Sequence, residues 1–201
     1  MLISALAFEL TEESFHRGGT LSVALGLAAG GVSFYTGDWV LDHRGGNHRK
    51  RPGGQQQGGS AAAIVLGALM DGIPESVAIG VSLMGGAGVG VATVAAVFLS
   101  NVPESLSAAT GLRKAGHSER WIIGLWTAVA PVSAVAAATG FGVLGGASPS
   151  VIAFIQASAA GAILTMLADT MMPESFEHGG DVVGLVTLLG FALAFLLSTF
   201  E

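Results

Sequence analysis

Three Pro-Glu-Ser triplets, Pro74-Glu75-Ser76, Pro103-Glu104-Ser105 and Pro173-Glu174-Ser175, fall inside apolar stretches long enough to cross a bilayer. A carboxylate at the centre of a bilayer costs about 3 kcal/mol even on lenient insertion scales, so it persists only with a partner or a watery cavity. The proline ahead of each one removes a backbone donor and bends the helix, which frees carbonyl oxygens near the same carboxylate. Acid and carbonyl oxygens gathered in this way are the makings of a cation site.

The strongest constellation lies in the first two triplets. Asp71 and Glu75 are four residues apart, so a helix carries both carboxylates on one face. Ser100, Asn101 and Glu104 repeat that geometry on the next apolar stretch. Two neighbouring helices with oxygen ligands beside proline bends can enclose a divalent cation. On chemistry alone, oxygen-only ligation favours harder ions such as Mn²⁺, Mg²⁺ or Ca²⁺, whereas imidazole favours Zn²⁺. The competing reading is a hydrogen-bonded polar cluster that only ties two helices together. Uncompensated carboxylates repel one another, which argues for the cation.

Further acids mark a pathway. Asp169 and Glu174 are placed to line an entrance or exit for the ion, and Glu9 and Glu13, with Glu12 and His16, hold similar positions near the start of the chain. Glu177 and His178 read as a solvated surface pair. His43 and His48 sit among basic residues, which makes a poor metal site. Met70, Met84, Met166, Met171 and Met172 read as packing residues, and Trp39, Trp121 and Trp126 as members of an interfacial belt.

The elements that position these residues follow from composition. The chain has 201 residues, 51% hydrophobic and 11% charged, with a mean hydropathy of +0.68. A soluble domain carries about a quarter charged residues, so a membrane protein is expected. The 31 glycines suit helices whose backbones pack closely in lipid. Cysteine is absent, which removes disulfides and thiolate ligands. The net charge of -6 resides mostly in or beside apolar stretches, which excludes a nucleic-acid-binding role.

Taking about 20 residues per crossing, seven helices are expected, over 1–16, 20–40, 61–84, 88–112, 120–144, 150–177 and 182–200. The whole chain, 1–201, reads as one transmembrane domain, with 42–60 a flexible loop. That loop holds Arg44, Arg49, Lys50 and Arg51, and Arg113, Lys114 and Arg120 lie two crossings later, so the two loops share one side of the membrane, which is expected to be cytoplasmic. Small residues from Gly85 to Gly90 allow helix association, including a homodimer. Only Met1 to Phe8 precede Glu9, which is short for a crossing. The reading is that the chain starts inside what is normally a longer helix, with one helix missing before it.

A repeat is also present. Leu2 to Ala7 resembles Ile163 to Ala168, and Glu13-Ser14-Phe15-His16-Arg17-Gly18-Gly19 matches Glu174-Ser175-Phe176-Glu177-His178-Gly179-Gly180 at the same offset of 161. The two copies fall on helices expected to cross in opposite directions, the mark of an inverted repeat around a midplane site.

These motifs resemble the ZIP family of metal transporters. Its fourth-helix pattern, His-Asn-x-Pro-Glu-Gly, is similar to Asp71-Gly72-Ile73-Pro74-Glu75-Ser76 in the Pro-Glu core. Its fifth-helix pattern, His-Glu-x-Pro-Glu-Gly, is similar to Ser100-Asn101-Val102-Pro103-Glu104-Ser105. Ala168 to Glu174 looks like the family's seventh helix, and Phe8-Glu9-Leu10 like its second. The resemblance implies an eight-helix bundle without its first helix, in a divergent bacterial-type member of the inner membrane. It implies a metal site of Asp71, Glu75, Ser100 and Glu104, with Asn101 adjacent. Asp71 and Ser100 stand where the family has histidines, and Gly72 has no side chain to offer a second, adjoining metal position. No acid lies between Trp121 and Leu144, where some members carry a glutamate.

The expectation is therefore an all-α membrane protein that moves a divalent metal ion, zinc or a similar ion such as iron or manganese, toward the cytoplasm. The metal is cargo, and no prosthetic group is expected. A non-transporting metal-binding or sensing protein is the alternative. The chain holds no His-Glu-x-x-His, no Gly-x-Ser-x-Gly and no phosphate-binding loop, so an enzyme or an ATP-driven pump is not expected.

Overall fold

A computed structural model describes residues 3, 10–41, 43, 61–83, 91–142 and 146–198. Glu9 and the loop expected over 42–60, apart from His43, lie outside the described residues. Among the described residues there is no strand, and seven α-helices follow one another in the chain. They are α1 (Glu12–Leu41), α2 (Ala61–Ser82), α3 (Val91–Lys114), α4 (Glu119–Gly142), α5 (Pro149–Met166), α6 (Met172–Gly179) and α7 (Val183–Ser198). A π-helical stretch, Leu167–Met171, joins α5 to α6, and a 3₁₀ turn, Gly180–Val182, joins α6 to α7.

Local chemistry explains several of these boundaries. At the end of α3 the amide of His117 donates to the Leu112 carbonyl at 3.1 Å and that of Gly116 to Arg113 at 3.0 Å, a Schellman closure that satisfies the last carbonyls. Ser118 then opens α4 by accepting from the amide of Trp121 at 3.3 Å. Pro149 occupies the first turn of α5, where its missing N–H is no loss. Pro173 sits likewise in the first turn of α6, so the third triplet opens a helix after the π stretch. Pro74 differs, since α2 continues as one helix on both sides of it.

Small residues set the packing. α1 runs against α5, and α2 runs against α4 and α5. A Cβ added at Gly30 would collide with the Ser158 carbonyl, one at Gly161 with the Leu27 backbone, and one at Gly80 with the Ala137 carbonyl. The helix backbones thus touch directly, as expected where dispersion rather than water expulsion drives association. The central cluster brings together Phe34 of α1, Ala78 of α2, Ala96 of α3 and Ala159, Ile163 and Met166 of α5.

The outer surface is apolar. Leu185, Val186, Leu188 and Leu189 on α7 are each more than 60% exposed, as are Phe98 on α3 and Ile123 and Val135 on α4. So much outward hydrocarbon suits lipid and not water. Among the described residues three helical segments, Glu12–Val40, Glu119–Gly142 and Pro149–Leu196, are long and apolar enough to cross a membrane.

The two copies of the sequence repeat share local geometry. Ser14 Oγ donates to the Leu10 carbonyl, and Ser175 Oγ donates to the Met171 carbonyl, each four residues back. π-helical backbone occurs at Leu10 and Thr11 in the first copy and at Leu167–Met171 in the second. Both copies then break at a glycine of positive φ, Gly19 and Gly180.

Candidate cation site

Glu75 is 1% exposed, and its carboxylate faces α3. Asn101 Nδ2 donates to Glu75 Oε2 at 2.6 Å and to the Val97 carbonyl at 2.8 Å. Both partners are acceptors, which settles which end of the amide points at Glu75: only the nitrogen can satisfy the two at once. A hydrogen bond to a charged group contributes about 1.5–3 kcal/mol, and here it joins two helices across 26 positions of sequence.

Ser100 stands beside this pair. Its hydroxyl donates to the same Val97 carbonyl at 2.9 Å. That engages the proton and leaves the oxygen lone pairs for a cation. Glu104 lies one helical turn further along α3 and is half-buried. Asp71 belongs to α2 one turn before Glu75, and its side chain is outside the described residues. The structure thus brings Glu75 and Asn101 into contact and places Ser100 next to them. Among the described residues no three His, Asp or Glu side chains form a metal-binding group.

Comparison with protein-family models, curated proteins and solved structures returns no match.

The pathway residues divide into two kinds. Glu13 is tied down: it pairs with Arg17 one turn along α1 and accepts from Gln156 Nε2 of α5 at 2.8 Å. On the second copy Asp169 is exposed on the π stretch, while Glu174 is half-buried in the first turn of α6. His178 Nδ1 lies 2.9 Å from the Glu174 carbonyl oxygen at the exposed end of α6.

Gln156 is the residue that motif reasoning passed over. It is fully buried in α5 and carries the amide that anchors Glu13. The available signal was a lone amide in an otherwise apolar helix, since such a group needs a partner in lipid as much as an acid does.

A cavity of about 500 Å³ lies between α1, α2 and α5, lined by residues including Gly30, Phe34, Ile73, Pro74, Val77 and Ala162. Its lining is almost wholly apolar, with the hydroxyl residues Ser33 and Ser158 but no Asp, Glu or His among the lining residues, so it is a poor place for a cation. Glu75, the neighbour of Pro74, bonds to α3, consistent with the roughly 100° step between successive helical residues.

Proposed function

We propose that this chain is an integral membrane transporter that carries a divalent metal ion, zinc or a similar ion, toward the cytoplasm. Asp71, Glu75, Ser100 and Glu104 supply oxygen ligands from α2 and α3, with Asn101 adjoining them. The observation that carries the reading is Glu75. A carboxylate 1% exposed, bonded across two helices in a molecule with an apolar outer surface, is costly and needs a reason to be there.

In this reading the seven stretches expected from the sequence cross the bilayer, the first two joined within α1 and the sixth made up of α5, the π stretch and α6, and the similarity to the ZIP family extends to the arrangement around α2 and α3. The shared geometry at Ser14 and Ser175, and at Gly19 and Gly180, supports an inverted repeat. Rocking of the repeat-bearing helices against the α2–α3 pair would then expose the ion to one side and the other in turn. The carboxylates replace water around the ion while it crosses.

The test is uptake of Zn²⁺ and Mn²⁺ into liposomes containing the full chain. Uptake by the native protein and its loss in Glu75→Gln and Glu104→Gln are expected. Uptake that persists in both variants rules out this site. Metal binding by the native protein without uptake replaces transport with the sensing alternative.

A further inference from the structure

We propose that the turn between α3 and α4 holds the headgroup of an anionic phospholipid through Lys114 and Arg120. The inference rests on the reading above that α3 and α4 cross the bilayer, and it adds a lipid partner to that reading.

The turn presents its charge outward. Gly116, at φ 92°, folds the chain back after α3, and the His117 amide closes on the Leu112 carbonyl. Arg113 pairs with Glu119 across the turn, so the acid at the start of α4 is already neutralised. Lys114 and Arg120 are both exposed, and among the described residues neither has an ion-pair partner. His117 stacks on Trp121 with ring centroids 4.1 Å apart, and Trp121 is 43% exposed. A tryptophan so placed belongs at headgroup depth, with hydrocarbon to one side of it.

The matching partner carries charge at one end and hydrocarbon at the other. On α4, Ile123 lies one turn from Arg120 and is 65% exposed. On α3, Leu106 and Thr110 precede Lys114 at four-residue intervals, and Leu106 is 63% exposed. The Thr110 hydroxyl donates to the Leu106 carbonyl, which removes an open donor from this stripe. Each cation thus ends an outward, largely apolar run. A lipid lying along α3 and α4 meets hydrocarbon first and positive charge at the level of its phosphate. A soluble polyanion would use the charges and leave the apolar runs unmatched. Arginine offers phosphate a forked donor and lysine a point charge. Arg44, Arg49, Lys50 and Arg51 are expected on the same side, the cytoplasmic one, where anionic lipid concentrates.

The experiment offers the purified full chain, in mixed detergent micelles, equal amounts of phosphatidylglycerol and phosphatidylcholine. Bound lipid is counted by native mass spectrometry. The two lipids share a phosphate and differ in net charge. The native chain is expected to prefer phosphatidylglycerol by about tenfold. Lys114→Gln with Arg120→Gln is expected to cut that preference at least about fivefold, while Lys114→Arg with Arg120→Lys keeps it. Both residues are exposed, so circular dichroism should show unchanged helix content. An equal preference in the native chain and the glutamine variant overturns the inference, as does a native chain with no preference. Loss of the preference in millimolar inorganic phosphate at constant ionic strength assigns the charges to a free anion, and that also overturns it. Lipid retention needs no metal, so failed Zn²⁺ uptake leaves this inference standing, and failed lipid preference leaves transport standing.

Discussion

Gly19 and Gly180 break their helices in the same way, with φ of 71° and 59° and ψ near extended. Each lies five residues after a serine whose hydroxyl returns to the carbonyl four residues behind it. This backbone region is essentially closed to residues with a Cβ. A side chain at either position would meet no neighbour within 4 Å, so strain is the only penalty. Gly19→Ala and Gly180→Ala are therefore each expected to destabilise the protein by about 1–3 kcal/mol. Unfolding in detergent, followed by circular dichroism, would measure it, and a neutral result at both would deny the breaks their conformational role.

Gly30 presents the opposite situation. Its φ is ordinary, but an added methyl would run into the Ser158 carbonyl where α1 and α5 touch. Gly30→Ala must push the helices apart, at about 1–3 kcal/mol. Gly124 faces open space on α4, so Gly124→Ala is expected to be neutral or to stabilise by up to about 1 kcal/mol through helix propensity. Comparing the two in one unfolding assay separates contact from propensity.

Gln156 and Glu13 form a second polar link between helices. Gln156→Leu fills the same space but takes the α5 donor away from Glu13, with an expected loss of about 1–3 kcal/mol. Glu13→Leu combined with Gln156→Leu is expected to lose less than the sum of the single changes, because the pair then leaves together. Additive losses would show that the bond contributes nothing.

Much of the helical layout was legible in the sequence, and the reasons are physical. Lipid admits only backbone that bonds internally, so apolar runs such as 120–144 announce helices, and this one is observed as Glu119–Gly142. The boundary expected between 1–16 and 20–40 is observed as a break at Gly19 inside α1. The stretch expected as one helix over 150–177 is instead α5, a π stretch and α6. The difference arises because a π turn changes hydrogen-bond register without changing composition.

The candidate site was legible in part. A lone acid beside a proline in an apolar run signals a need for a partner, and Glu75 was found that way. That the partner would be the nitrogen of Asn101 depends on the Val97 carbonyl, a backbone atom that motif spacing does not register. Gln156 was missed for a related reason, since an amide draws less notice than a charge although it needs bonds just as much.

The measurement closest to the heart of the account is equilibrium binding of Zn²⁺ to the purified full chain, native and Glu75→Gln, by titration calorimetry. The substitution keeps the shape and the acceptor for Asn101 but removes the charge, so folding is expected to survive. Binding should weaken at least about tenfold, as metal sites do when even supporting groups are lost. Equal affinity in the two proteins would contradict the account, for Glu75 would then be a buried tie between helices and nothing more.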